Sequence, residues 1–203
     1  MRPPLPRLHA ITDERIARRA DLDDVARELA AGGGADLAFH ARGRALTGLE
    51  HYELAVRLSD SPSVRLFVND RLDIALAVNA QGVQLGRASL PPEVARRLDP
   101  RWWIGKSVHD WAEAEAAEAE GAEYLVVGPV YATATHPDGR PLGLAPLREI
   151  ARLGLPMIAI GGVTPERARE VKAAGAYGVA AIRALWDAAE PGAAARRMLE
   201  ELR

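Results

Sequence analysis

Eight short apolar runs alternate strictly with longer amphipathic stretches along the chain. The runs fall at 8–12, 36–42, 64–68, 82–85, 102–106, 123–128, 156–160 and 177–182, and their length and composition predict strands. The amphipathic stretches, at 22–31, 49–59, 71–80, 91–98, 110–120, 145–153, 165–174 and 191–202, predict helices. Thr164-Pro165-Glu166 sets a capping residue before a proline suited to the first helical position, and Gly121 and Gly175 follow their helices as C-terminal caps would. Eight strand–helix units in 203 residues predict a single (β/α)8 TIM barrel, one domain over 1–203 with no linker. An open doubly wound sheet would carry a glycine-rich turn after its first strand, whereas this turn reads Thr12-Asp13-Glu14-Arg15.

Composition narrows the function classes. Hydrophobic residues make up 48% and charged residues 27%, a soluble globular mix. No run approaches the roughly 20 apolar residues of a membrane span. No secretory or targeting segment is recognised at the start, so a cytoplasmic location is expected. Cysteine is absent, which excludes disulfides, thiolate nucleophiles and Cys-ligated zinc. A net charge of −2 gives no support for nucleic-acid binding. Lys106 and Lys172 are the only lysines, so 24 of the 26 basic residues are arginines, most of them expected at the surface.

Chemistry in such a barrel sits at the C-terminal ends of the strands. His40, Arg42 and Arg44 recur with period two and so share one face. They offer one imidazole and two fixed cations. Asn69-Asp70 follows the third strand and could hold a divalent metal, although one carboxylate is a thin site. Ser107 and His109 end the fifth strand. Thr133, Thr135 and His136 lie in a long polar loop after the sixth, placed to act as a lid. Gly161-Gly162 ends the seventh strand and opens a helix, where backbone N–H groups can hold a phosphate. Arg183 ends the eighth. His9, within the first strand, is read as core or mouth, and His51, on a predicted helix, as surface.

The segments Leu8–Asp13, Val68–Leu76, Gly128-Pro129-Val130-Tyr131 with Thr133 and Thr135, Ile158–Pro165 and Gly175–Ala180 resemble the thiamine phosphate synthase superfamily over nearly the whole chain. Two branches of it are similar to this sequence. Synthases join a pyrimidine pyrophosphate to a thiazole phosphate. Their pattern has Gln-x-Arg-x-Lys on strand two, an Asn-Asp pair, a second metal aspartate and a Thr-x-Thr-Lys loop. This chain keeps Asn69-Asp70 but carries His40, Ser89 and His136 at the other positions. The TenI-type thiazole tautomerases share Leu8–Thr12, His40/Arg42/Arg44, Val83-Gln84-Leu85 and Gly105–His109 with it.

The tautomerase branch is therefore the expectation: an isomerase that aromatises a carboxythiazole phosphate. The resemblance implies His40 or His136 as the proton-transfer group, since Pro129 stands where that branch has its catalytic histidine. It implies Arg42, Arg44, Asn69, Ser107, His109, Thr133 and Thr135 around the substrate, and Gly161, Gly162 and Arg183 at the phosphate. Arg183 replaces the family's serine there. No metal or other cofactor is expected under this reading. Two alternatives stand beside it. One is the synthase, with Mg2+ at Asp70; the other is a non-catalytic binding protein for a thiazole phosphate. The expected partner is a small phosphorylated thiazole, with no nucleic acid and no membrane, and the resemblance implies a homodimer.

Overall fold

The computed structural model describes residues 2–61, 63–133 and 140–203. The chain runs β1 (Leu8–Ile11), α1 (Glu14–Ala17), α2 (Leu22–Gly33), β2 (Leu37–Ala41), α3 (Gly48–Ser59), β3 (Arg65–Asn69), α4 (Leu72–Ala77), β4 (Gly82–Leu85), α5 (Pro92–Leu98) and β5 (Trp103–Val108). It continues α6 (Trp111–Ala119), β6 (Tyr124–Val127), α7 (Leu144–Ile150), β7 (Met157–Ile160), α8 (Pro165–Ala173), β8 (Gly178–Ala181), α9 (Arg183–Trp186) and α10 (Pro191–Glu201). The strands pair in parallel in chain order, and β8 returns to β1 with Leu8 opposite Val179, closing the barrel.

Period-two alternation divides the core in two. Leu8, Phe39, Val68, Val83, Ile104, Leu125 and Val179 point outward and pack under the helices. Ile11, Ala38, Phe67, Tyr124, Val126, Ile158 and Ala180 point inward and fill the barrel. Two glycines make room for the large inward rings. A Cβ on Gly105 would lie 2.1 Å from the Tyr124 ring, and one on Gly82 would lie 2.3 Å from Phe67.

The helix termini follow local chemistry. Thr47 and Glu50 form a reciprocal capping box at the start of α3. Asp110 accepts from the Glu113 N–H to cap α6, whose buried face consists of Ala114 and Ala117. Thr164 precedes Pro165 in α8 as the sequence predicts, but its side chain makes no capping hydrogen bond. The proline-rich N-terminal segment seals the barrel base. The Arg2 guanidinium lies 3.6 Å over the Trp103 ring, the Trp103 indole donates to the Pro3 carbonyl, and the Tyr177 hydroxyl donates to the Leu5 carbonyl.

Candidate active site

The mouth is built from the last residue of each strand and the loop behind it. Thr12 is fully buried, and its hydroxyl bridges β1 to β2. Its oxygen lies 3.0 Å from the His40 carbonyl and 2.7 Å from the Arg42 carbonyl, which share its one hydrogen, and it accepts the Arg42 N–H at 2.9 Å. The backbone of Arg42 is thereby clamped just past β2. Burial and the neighbouring Arg44 guanidinium lower the pKa of Arg42, while the carboxylates of Glu14, Asp70 and Asp13 act the other way. Arg42 is thus a half-buried cation facing acidic groups, and Arg44 is exposed.

Asp70 takes a left-handed backbone, with φ of 62°. Aspartate is among the few non-glycine residues that tolerate this region. The turn aims its carboxylate across the mouth, where Oδ1 accepts the Gly86 N–H at 2.8 Å and also the Ser89 hydroxyl. The two positions that the synthase pattern gives to metal carboxylates therefore lie side by side, as one carboxylate and one hydroxyl. Among the described residues no group of three histidines or acids forms a metal cluster. Mg2+ nevertheless uses hard oxygens, with one or two carboxylates and substrate phosphates completing the set. Asp70 and Ser89 fit that pattern.

His40 has a different character from the one its position in the sequence implied. Its ring is fully buried among inward-facing side chains, stacked 5.1 Å from Phe67. Both ring nitrogens are occupied: Nε2 lies 2.7 Å from His9 Nδ1, and Nδ1 lies 3.0 Å from the Asn69 amide. Burial pulls its pKa down to about 4; the Asn69 bond opposes this and Arg42 adds to it. The pKa of His9 is lowered too, by burial first and then by His40, and its Nε2 lies 3.0 Å from the Pro6 carbonyl. His9, read from the sequence only as core or mouth, had no role assigned to it. Its one sign was inward parity on β1, two positions short in register of the equally inward His40 of β2, which stands opposite Ile11.

The other sequence-predicted residues divide. The Ser107 hydroxyl accepts from the Gln84 amide at 2.9 Å inside the rim. His109 sits at the rim, but its Nδ1 lies 2.9 Å from Glu113 Oε2, and Glu113 also pairs with Arg87. His51 does not lie on the surface: it is 5% exposed, and its Nε2 lies 2.9 Å from the Ala41 carbonyl at the end of β2. The helix carrying it turns that face inward, which its polar residue type concealed. Thr133 lies at the mouth end of the β6 loop, whereas Thr135 and His136 lie outside the described residues.

Gly161 and Gly162 both have positive φ, 98° and 64°. Close approach adds a second requirement. A Cβ on Gly161 would come 2.6 Å from Pro129 Cα, and one on Gly162 would come 2.7 Å from the Ala132 carbonyl oxygen. The Tyr131 N–H donates to the Gly161 carbonyl at 3.0 Å, so the loops after β6 and β7 are docked on each other. Arg183 opens the short helix α9 beside them, in the place where many barrels of this type hold phosphate. A cavity of about 1030 Å³ opens near Arg2, Arg65, Arg96, Arg101 and Trp103, away from these strand ends. Glu123 and Asp99 engage three of its four guanidiniums.

Comparison with known proteins fits this geometry. A family model described as thiamine monophosphate synthase matches residues 8–185. The chain is 42% identical over 201 residues to the thiamine-phosphate synthase of Methanoculleus marisnigri, covering 96% of this chain and 94% of that one. It is 39% identical over 201 residues to the thiamine-phosphate synthase of Pyrococcus furiosus, covering 97% and 93%. A solved thiamine phosphate pyrophosphorylase from Pyrococcus furiosus superposes with a TM-score of 0.83 at 34% identity, over 97% of this chain and 95% of that one. These relatives overturn the tautomerase and isomerase expectation, and with it the need for His40 as a proton-transfer group. The Leu8–Thr12 and His40/Arg42/Arg44 segments favoured it, while Pro129 and Asn69-Asp70 already pointed to the synthase side. From its strand order to its rim, the chain belongs to the thiamine monophosphate synthase family.

Proposed function

We propose that the chain is a thiamine-phosphate synthase, a transferase that joins a pyrimidine pyrophosphate to a thiazole phosphate. The observation that carries this reading is Asp70, a carboxylate aimed across the mouth, tied to Gly86 and Ser89 and facing Arg42. The relatives that bear this name support it.

In the reaction the bond from the pyrimidine methylene carbon to the pyrophosphate oxygen breaks, and a bond from that carbon to the thiazole nitrogen forms. The thiazole nitrogen carries no hydrogen, so no proton is released and the bond-forming step needs no general base. The demand falls on the leaving pyrophosphate, whose growing charge requires cations and donors placed in advance. Arg42 and Arg44 meet that demand from β2, and guanidinium suits phosphate oxygens. Asp70 and Ser89 would hold Mg2+, which when bound neutralises charge on the pyrophosphate. Gly161, Gly162 and Arg183 would hold the thiazole phosphate, and Ser107, His109, Thr133 and Thr135 would orient the two rings. In this reading the enzyme acts in the cytoplasm as a homodimer.

The test is a Mg2+-dependent assay for thiamine phosphate. Turnover is expected with Mg2+ and is lost in chelator. Asp70→Asn is expected to lower kcat/KM by about 100-fold or more, the scale of losing a preorganised electrostatic group. Ser89→Asp, which adds a second carboxylate, should tighten Mg2+ dependence and raise turnover. Absence of synthase turnover in the unaltered protein overturns the reading.

A further inference from the structure

Four groups run in a line through the barrel from base to mouth. The Pro6 carbonyl meets His9 Nε2 at 3.0 Å, His9 Nδ1 meets His40 Nε2 at 2.7 Å, and His40 Nδ1 meets the Asn69 amide at 3.0 Å. Both imidazoles are fully buried, and Asn69 is 8% exposed at the last position of β3.

Such a line has a direction. A carbonyl oxygen only accepts, so His9 donates from Nε2. In a neutral ring the other nitrogen is then bare, and His9 Nδ1 accepts. His40 must therefore donate from Nε2, which leaves its own Nδ1 bare. The partner of that nitrogen has to be a donor. With Asn69 Oδ1 in the 3.0 Å contact the His40 ring would need a second proton, which its burial opposes. A half-turn of the amide brings Nδ2 to the ring and pairs every atom in the line. The Asn69 oxygen is then the atom left toward the mouth, and it has no hydrogen-bond donor among the described residues.

We propose that His9 is a positioning residue: through His40 it fixes the Asn69 carboxamide with its oxygen toward the mouth, so the site favours a pyrimidine that offers an N–H donor. The pyrimidine in this statement rests on the synthase reading above. The pyrimidine of thiamine carries an amino group, which supplies that donor. A carbonyl oxygen or a bare ring nitrogen presented at the same place would leave two acceptors facing each other, a costly arrangement in a nearly buried position.

Two independent readouts test this. In the free protein, long-range 1H–15N NMR is expected to find both His9 and His40 as Nε2–H tautomers. An Nδ1–H on either ring reverses the line and overturns the proposal, whether or not the enzyme turns over. In steady-state assays, His9→Phe is expected to raise KM for the pyrimidine pyrophosphate about tenfold, the scale of one hydrogen bond. KM for the thiazole phosphate should stay within about twofold, inside the effect of a remote substitution. Equal rises in both, or no change in either, overturn the proposal.

A second pair keeps the test intact if His9→Phe does not fold. In His40→Gln the amide can donate to His9 and accept from Asn69, preserving the direction of the line. It is expected to recover most of the pyrimidine affinity that His40→Leu loses, and failure to recover it counts against the proposal. Failure of the synthase reading appears instead as an unaltered enzyme without turnover, separate from a wrong tautomer.

Discussion

Burial sets the proton affinity of His40, and that has a consequence for stability. Its pKa falls from the ordinary 6.5 to about 4 in the folded barrel. Between those values the unfolded chain binds a proton that the folded one refuses. The contribution of this ring is therefore fully present above pH 6.5 and is lost as pH falls toward 4. The loss amounts to about 3 kcal/mol at 1.36 kcal/mol per unit. His9, lowered for the same reason, acts in the same direction. Urea midpoints at pH 7 and pH 4.5 should differ accordingly, and His40→Gln should flatten the difference. An unchanged midpoint would mean that the rings are hydrated in the fold. At this scale the sequence was legible in part. The period-two spacing put His40, Arg42 and Arg44 on one face of a strand read as 36–42; the strand ends at Ala41, with His40 buried inside the barrel and Arg42 just past its end. It did not distinguish a ring at the mouth from one sealed below it, because depth depends on where neighbouring strands end. His51 was misread because a polar residue on an amphipathic helix can be turned in to serve a strand-end carbonyl such as that of Ala41.

At the scale of elements, all eight strands and the eight longer helices follow from apolar periodicity, within a few residues at their ends. The sequence missed α1 and α9, at four residues each too short for any period to show. The turn after β7 was read from its glycines as a phosphate loop. The structure adds that the same glycines let the β6 loop dock, through Pro129, Tyr131 and Ala132. Gly162→Ala brings both a left-handed β-carbon and a 2.7 Å clash with the Ala132 carbonyl. It is expected to cost about 2 kcal/mol in a denaturation experiment, the scale of local backbone strain. It should also weaken thiazole phosphate binding more than pyrimidine pyrophosphate binding. Wild-type stability and affinity in that variant would show that the loop has slack.

At the scale of the whole molecule, the barrel rests on strand order and on two cores separated by the sheet. This much was legible, because eight strictly alternating strand–helix units in one short domain, with no glycine-rich turn after the first strand, point to a closed parallel sheet. The branch of the superfamily was not. Single residues such as His40 and Ser89 pointed toward the tautomerases, while similarity along the whole chain points to the synthases. Outside the barrel, Leu49, Tyr52 and Val56 recur at helical spacing on α3 and are 66%, 42% and 37% exposed. Leu76 on neighbouring α4 is 45% exposed. The proposed homodimer would bury this face. Sedimentation should find a dimer for the unaltered chain and a monomer for the double variant Tyr52→Glu, Val56→Glu. A dimer that survives both changes places its seam elsewhere.

The line from Pro6 to Asn69 is drawn from the segment ahead of β1 and the first three strands, yet it becomes dry only with help from the far end of the chain. Tyr124, 5.9 Å from the His9 ring, arrives with β6, and the neighbour that seals β1 is β8. A chain still emerging from the ribosome, with β1 to β3 made, holds both imidazoles in water, where they titrate about the ordinary value of 6.5 and exchange protons freely. Any proton held there is shed when the last strand is seated. Closing the barrel thus takes from both rings the freedom to bind a proton, and below pH 6.5 a chain pays that cost when β8 is seated against β1.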